Sequence, residues 1–477
     1  MALTPDTASS PSAVIARLDR LSVWSLPYLF IGVIGVGFLF TFYDIFDINV
    51  SFIQTCTQII PHCTPPAAGS YLGLPVLLNL VGYAVGTVIL SPLADRVGRR
   101  QMLLVTMALT GVGSLLTAFV GNYALFDAAR LVTGLGIGAD LAIVNTYIGE
   151  VAPTGQRARY TSFIFIMSAL GAVAGIWIGL WLTTPATPFP LGLPFAVAGP
   201  SLTNGWRIMY VIGGALAAVG LLLRYQLPES PRWLVSQNRV AEADAIVTVM
   251  ERRAARHGPL AAPVEDTAPN IEPERIPYLA IFRNPIYVRR SAIMLTVWLI
   301  GYVTVYSYAA GFTSLLVQLH YAPPEAGLIA AFGTFGFVAC AVMAFFVGER
   351  LERKAWLPVA ALITLVGGVV IAISGTILAL TMIGACILFF GFNIWIPTTY
   401  SWSAENFPTQ ARTTGFGLVD GVGHIGGGIG VQWVAPFAAG LTVLPAFLLI
   451  SGFLVVAAAV AQMGTNTRGR RLDEVSP

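Results

Sequence analysis

Apolar and polar positions are sorted into long blocks along this chain, not into the short alternation of a half-buried strand. Twelve apolar blocks of roughly 20 residues or more lie at about 26–53, 71–93, 101–120, 122–149, 159–183, 206–227, 290–318, 325–347, 356–378, 380–404, 412–437 and 439–463. Each is long enough to cross a bilayer core as a helix. The pattern predicts an all-α integral membrane fold with twelve transmembrane helices. The first block is too long for a cleaved signal and has no small-residue cleavage site. The polar remainder divides the chain into an N-terminus (1–25), a six-helix half (26–227), a linker (228–289), a second six-helix half (290–463) and a tail (464–477). Within the linker, Ala243, Ile246, Val247 and Met250 fall on one helical face, which predicts an amphipathic helix packed along the inner side of the bundle. Residues 262–277 are rich in proline and acid and read as connector.

The halves repeat each other. Asp95-Arg96-Val97-Gly98-Arg99-Arg100 is echoed 254 residues later by Glu349-Arg350-Leu351-Glu352-Arg353-Lys354. Glu150-Val151-Ala152-Pro153-Thr154-Gly155-Gln156-Arg157 is echoed 255 residues later by Glu405-Asn406-Phe407-Pro408-Thr409-Gln410-Ala411-Arg412. A parallel repeat of spans with charged islands between them is the mark of a transporter built from two homologous halves.

Composition agrees with that reading. The chain is 56% hydrophobic and only 10% charged, with a mean hydropathy of +0.76, too apolar for a soluble domain of 477 residues. Of its 26 Lys and Arg residues, all but Arg130 and Arg207 are assigned to one side of the spans, which predicts cytoplasmic termini in a multi-pass inner (plasma) membrane protein. The basic residues face lipid head groups rather than nucleic acid. Cys56 and Cys63 are near enough in the first outer loop for a disulfide, while Cys340 and Cys386 lie within spans. No carboxylate, His or Cys cluster has metal-ligand or catalytic spacing, so neither a metal, a cofactor nor an enzyme is expected.

Four sequence features together resemble the major facilitator superfamily, in its sugar-porter and metabolite:proton-symporter group. They are Leu93-Ala94-Asp95-Arg96-Val97-Gly98-Arg99-Arg100, Arg130-Leu131-Val132-Thr133-Gly134-Leu135-Gly136-Ile137-Gly138, Pro228-Glu229-Ser230-Pro231-Arg232-Trp233-Leu234 and the paired E-x-x-P-T-x-x-R segments. The resemblance covers the first span to the last. It departs from the family at Ser91, Glu349 and Glu352, where Gly, Asp and Gly are usual. It implies alternating access, with spans one, four, seven and ten lining a central cavity.

Candidate site residues follow from charges and rings inside spans. Asp44 and Asp47 are three apart on span one, and Arg130 on span four lies at a matching depth of about 12–14 Å. In proton-coupled sugar porters, residues at the places of Asp44 and Arg130 form the proton-linked couple, and Asp127 competes as the arginine's partner. Deeper, Asp140, Asp420 and His424 form a second expected constellation, with a His able to relay a proton or meet an anion. Gly136-Ile137-Gly138-Ala139-Asp140-Leu141 resembles a phosphate-symporter segment. Trp177, Tyr302, Tyr306, Asn393, Trp395, Tyr400 and Asp420 are candidate substrate contacts, the rings suiting a flat solute. The glutamines that read sugar hydroxyls in hexose porters are absent. Asp95, Arg96, Arg99, Glu150 and Arg157, with Glu349, Arg350, Arg353, Glu405 and Arg412, are candidates for a cytoplasmic gate in which carboxylates and guanidiniums of the two halves pair.

The expected function is proton-coupled symport of a small organic or aromatic acid, or a vitamin-like solute, by a monomer in the lipid bilayer. Sugar transport, phosphate:proton symport and, outside transport, nutrient sensing are the alternatives.

Overall fold

A computed structural model describes residues 10–153, 157–194, 202–263, 277–375, 377–408, 411–470 and 475–476. The first half contains six long helices: α2 (Tyr28–Ile59), α3 (Ala68–Val97), α4 (Arg99–Phe119), α5 (Tyr123–Val151), α6 (Arg157–Thr183) and α7 (Gly205–Arg224). A short helix, α1 (Pro11–Asp19), precedes them, and α8 (Pro231–Ser236), α9 (Val240–Ala254) and α10 (Pro277–Phe282) lie in the linker. The second half runs α11 (Pro285–Ala309), α12 (Phe312–Gln318), α13 (Pro323–Val347), α14 (Trp356–Ile373), α15 (Leu378–Asn393), α16 (Ile396–Glu405), α17 (Arg412–Phe416), α18 (Val422–Ile429), α19 (Ala435–Ala439) and α20 (Val443–Ala461).

Eleven of the described helical segments are long and apolar enough to cross a membrane. The eleventh predicted span is a continuous helical path whose α-helical pieces α17, α18 and α19 are joined by π-helical stretches at Gly417–Gly421 and Gly430–Val434. Its pieces are individually short, yet the path from Arg412 to Ala439 completes twelve spans.

Two other spans differ from the uninterrupted helices predicted. Span seven breaks after Ala309 and restarts as α12, and span ten breaks between Asn393 and Ile396. Pro397 explains the second break. It has no N–H to offer the carbonyl of Asn393, and its ring would crowd that carbonyl in a continuous helix. Both interruptions fall beside residues that line the central cavity.

Within the first half, α2 packs on α6 and α7, and α5 on α3 and α4; within the second, α15 packs on α13 and α14, and α11 on α18 and α20. The halves meet where α3 lies against α18 and α6 against α13. At one end of this seam, Asn49 of α2 donates to Ala309 O (2.7 Å) and accepts from Thr313. That end also carries the Cys56–Cys63 disulfide, with its Cα atoms 5.8 Å apart.

The linker helix α9 is amphipathic as expected, with Ala243, Val247, Met250 and Ala254 buried and Ile246 partly so. Its companions are α8 and α1. Arg17 Nη2 and Arg20 Nη2 reach Glu251 at 2.7 and 2.5 Å, and Arg17 also pairs with Asp244. The predicted connector 262–277 lies almost wholly outside the described residues.

The Glu251 contact should make docking of α1 acid-sensitive. Burial pushes the Glu251 carboxyl up, but Arg17 and Arg20 outweigh it and hold the group below its usual 4.5. A carboxylate with a lowered pKa stabilises the docked state fully above the free value, and that contribution is lost as pH falls through the lowered one. Hydrogen exchange of Ala13–Asp19 is therefore expected to accelerate below pH 4.5 before the bundle unfolds. Exchange that stays flat until global unfolding would mean that the buried side chains of Val14 and Leu18 hold the helix unaided.

Candidate functional site

Asp44 sits at the middle of α2 and is fully buried, as is Arg130 on α5 apart from 2% of its surface. Arg130 Nη1 lies 3.1 and 3.0 Å from the two Asp44 carboxylate oxygens, and its Nη2 donates to the Asp44 carbonyl at 3.2 Å. The guanidinium also stands 5.6 Å over the ring of Tyr210. The expected pair is formed, and Asp127 is not its partner. Asp47, one turn along α2, is equally buried, and neither of its carboxylate oxygens has a hydrogen-bond partner among the described residues.

The second expected constellation separates into two. Asp140 does not join Asp420 and His424. It is held by Arg224 at the end of α7, with Nη2 donating to Oδ2 at 2.9 Å and Nη1 touching Oδ1, while Thr106 donates to Oδ1 at 2.8 Å. Arg224 is fully buried, which corrects its assignment to the basic loops. Its guanidinium lies against Gly37 of α2, where a Cβ would stand 1.8 Å from Nη2. This bidentate pair ties α5 and α7, with α4 contributing Thr106 and the Leu103 carbonyl (3.1 Å).

Asp420, in the first π-helical stretch of span eleven, accepts from Tyr302 Oη of α11 (2.7 Å) and from Tyr83 Oη of α3 (2.9 Å). Tyr83 belongs to the other half, so this carboxylate bridges the seam. The His424 ring stacks on Tyr83 with centroids 3.7 Å apart and planes 18° from parallel. Tyr302 covers it from the other side at 4.0 Å. Tyr83 carried no signal in the sequence, since a tyrosine in an apolar run reads as packing.

His424 borders a cavity between the halves. Its walls are Phe42, Ile45 and Phe46 of α2, Leu141 of α5, Tyr302, Val305, Tyr306 and Ala309 of α11, Asn393, Ile396 and Tyr400 around the break in span ten, and His424. About 20 Å³ of it is open, roughly the space of one water, so the halves are closed around this point. Spans one, four, seven and ten all contribute, as expected, and span eleven adds His424.

Three candidate contacts lie elsewhere, Asp420 among them, held by the hydroxyls of Tyr83 and Tyr302. Trp395 is buried behind Tyr302 (6.1 Å between rings) and donates to Phe392 O at 2.9 Å. Trp177 lies between α6 and α13, donating to Ala331 O (3.1 Å) and packing on Phe332 and Phe335.

At the end of the bundle opposite the disulfide, the repeated motifs form matching ties. Arg99 Nη1 donates to the carbonyl five residues back, Ala94 O (2.9 Å), and Nη2 to Glu150 (2.9 Å). Arg353 repeats this with Gly348 O (3.5 Å) and Glu405 (3.3 Å), and adds Glu349 at 2.8 Å. These ion pairs each lie within one half rather than between the halves. The seam here is crossed by Thr146 and Thr413, whose hydroxyls are 2.9 Å apart. Arg412 Nε donates to Ala404 O (3.2 Å), and Arg96 and Arg350 are exposed. The side chains of Asp95 and Arg157 lie outside the described residues.

The two loops are capped differently. Gly98 has φ +111°, and a Cβ there would stand 2.5 Å from Glu229 Oε2. Glu229 thereby reaches the start of α4 and accepts from the amides of Arg99 (3.0 Å) and Arg100 (3.2 Å). In the second half the carboxylate is in the loop itself. Glu352 accepts from Arg353 N (3.1 Å) and, from the tail, Thr467 N (3.0 Å) and Arg468 N (3.3 Å).

The profile of a family described as sugar (and other) transporter matches residues 29–477. This chain belongs to that family. Among relatives of the transporter, the niacin transporter NiaP of Acinetobacter baylyi is 26% identical over 97% of this chain and 99% of that protein. A putative metabolite transport protein of Bacillus subtilis, YyaJ, is 25% identical over 96% of each chain. The 4-hydroxybenzoate transporter PcaK of Pseudomonas aeruginosa is 27% identical over 78% of each. In structure, the transporter aligns with a double-tryptophan mutant of XylE at a TM-score of 0.71 and 19% identity, covering 94% of this chain and 98% of that one. A partially occluded, inward-open form of the Escherichia coli xylose transporter XylE aligns at 0.67, also at 19% identity, covering 94% and 100%. The fold is that of the major facilitator superfamily, and the protein is a multi-pass membrane transporter, not an enzyme.

Proposed function

We propose that this transporter carries a small, flat organic acid together with protons, by alternating access of its two halves, 26–227 and 290–463, around the central cavity. The observation that carries the reading is the buried Asp44–Arg130 pair, which joins α2 and α5, two of the helices that wall the cavity. A buried pair is a poor stabiliser compared with apolar packing, and unlike Asp140, engaged by Arg224 and Thr106, Asp44 keeps one oxygen without a hydrogen bond, with unpartnered Asp47 one turn away. Protonating Asp44 frees the guanidinium and changes which closure of the halves is preferred. Asp47, with no partner for its charge, is a further proton-binding candidate in the same helix.

The cavity wall suits a ring. Tyr302, Tyr306, Tyr400 and the phenylalanines of α2 supply aromatic surface, with Asn393 and His424 the polar groups that fix orientation. Relatives named for niacin and 4-hydroxybenzoate support a ring acid, and Asp140, fully engaged by Arg224, gives no support to phosphate. The disulfide end is assigned to the outside, where a disulfide persists, and the basic motifs and both termini to the cytoplasm, in a cell membrane of plasma type. The motif ties hold each half together as it rocks, and a monomer suffices.

Uptake into proteoliposomes with an alkaline interior tests this directly. Nicotinate or 4-hydroxybenzoate is expected to accumulate with the pH gradient and to leak back when an uncoupler collapses it. Accumulation of xylose with neither acid transported would replace this reading with sugar transport.

A further inference from the structure

The hydrogen-bonding character of the cavity bears on the form in which a solute is held. His424 Nδ1 lies 2.7 Å from the carbonyl oxygen of Asp420. A carbonyl only accepts, so Nδ1 carries the hydrogen and a neutral ring is left with a lone pair on Nε2. The ring faces are covered by Tyr83 and Tyr302. The edge that remains for the cavity wall is therefore the one bearing Nε2.

Asn393 is fixed in the same sense. Its Nδ2 donates one of its two hydrogens to Phe389 O at 2.8 Å, which sets the amide's orientation and leaves Oδ1 free to accept. Tyr302 has given its hydrogen to Asp420, so its oxygen too can only accept from a ligand. No lysine or arginine stands among the residues lining the cavity, and Arg130 and Arg224 are engaged by Asp44 and Asp140.

An imidazolium at His424 would find poor support. The groups facing it are Asp420 on its own helix, Tyr83 from α3, and Tyr302 and Tyr306 from α11, with Tyr400 sharing the wall from α16. The Asp420 carboxylate is 3.7 Å from Nδ1, and its oxygens are occupied by the two tyrosine hydroxyls. That carboxylate would be an imidazolium's one counter-charge, at ion-pair distance but not hydrogen-bonded to it, and a buried ion so loosely paired is costly.

We infer that the cavity holds its solute in an uncharged, hydrogen-bond-donating form, a carboxylic acid bearing its proton or a carboxamide, with His424 Nε2 and Asn393 Oδ1 as the acceptors. This rests on the proposal that the cavity takes a flat ring acid, and it adds how the proton travels. The acid crosses with its O–H bond intact and releases the proton when it dissociates on the far side. A carboxamide brings no proton of its own, so only the one on Asp44 accompanies it.

The test is binding to the purified full-length transporter in nanodiscs at pH 5.5 and 7.5. The probes are benzoate, benzamide and methyl benzoate, with nicotinamide, methyl nicotinate and xylose alongside. The amides are expected to bind equally at both pH values and the esters, which cannot donate, to fail. Benzoate affinity is expected to rise about tenfold for each unit that pH falls, following its protonated fraction. His424→Phe, which keeps a ring between the tyrosines, should lower amide affinity at least tenfold, whereas His424→Gln, which keeps an acceptor, should retain part of it. Esters binding as well as amides, or benzoate binding equally at the two pH values, overturns the inference and leaves the ring-acid reading intact. Binding of xylose with none of the ring compounds overturns both.

Discussion

Asp44→Asn is expected to leave substrate exchange intact and to remove the share of pH-driven accumulation that the Asp44 proton supplies. Asparagine has the shape of the protonated acid and cannot lose the proton, so the variant is held in the state in which Arg130 has no anionic partner. The pair it replaces is buried from solvent, with contacts at 3.0 and 3.1 Å, so its charge state is felt directly by α2 and α5. A gradient of one pH unit is worth about 1.4 kcal/mol per proton, enough for roughly tenfold accumulation. The wild-type protein should reach that level per proton carried, and the variant should fall short of it by one such factor. Counterflow of labelled substrate against unlabelled shows that the variant is folded and still cycles. If that factor persists in Asp44→Asn and is lost in Asp47→Asn, the coupling acid is the unpartnered carboxylate one turn further along α2.

Removing either member of the Asp140–Arg224 pair should destabilise the fold by about 3–5 kcal/mol, because the other charge is left buried and unpaired. Asp140→Ala strands the guanidinium against Gly37 and the Leu103 carbonyl; Arg224→Ala strands the carboxylate beside Thr106. The double change Asp140→Leu with Arg224→Met fills similar volume without charge and should recover most of the loss. Thermal unfolding of the detergent-purified proteins measures this. The same double variant should still accumulate substrate with a pH gradient, which separates a tie between helices from a proton carrier. Loss of coupling in a well-folded double variant would return Asp140 to the proton path.

These two acids show how far the sequence was legible. Asp44 and Arg130 could be matched because each lies inside a long apolar run at a depth that counting residues recovers. Asp140 lies in such a run too, but its partner stands at the end of a span, where an arginine looks like a loop cation. Only packing reveals that Arg224 turns inward over a glycine. The twelve spans were plain because lipid demands long apolar runs, and the charged motifs because they interrupt those runs. The break at Asn393 was not read from the sequence although Pro397 is its cause, and the π-helical turn that aims Asp420 at two tyrosines leaves no trace in periodicity. Tyr83 and Trp395 make the same point in opposite directions. Aromatic residues in a span give no sign of whether they face a cavity, back another ring or cross to the other half.

The unlike capping of the two repeated loops limits how the halves can be recombined. In the first half a glycine makes room for Glu229, which arrives from beyond span six; in the second, Glu352 sits in the loop and catches amides arriving from beyond span twelve. Each half thus pairs one acid with one clear approach, but with donor and acceptor exchanged between the partner segments. A chimera that grafts the first loop into the second half would bring a glycine to meet Thr467 and Arg468, with no acid on either side. One that grafts the second loop into the first would set Glu352 against Glu229. Duplicated in origin, the two halves have become lock and key for their own trailing segments, and recombination should respect loop and segment as a single unit of inheritance.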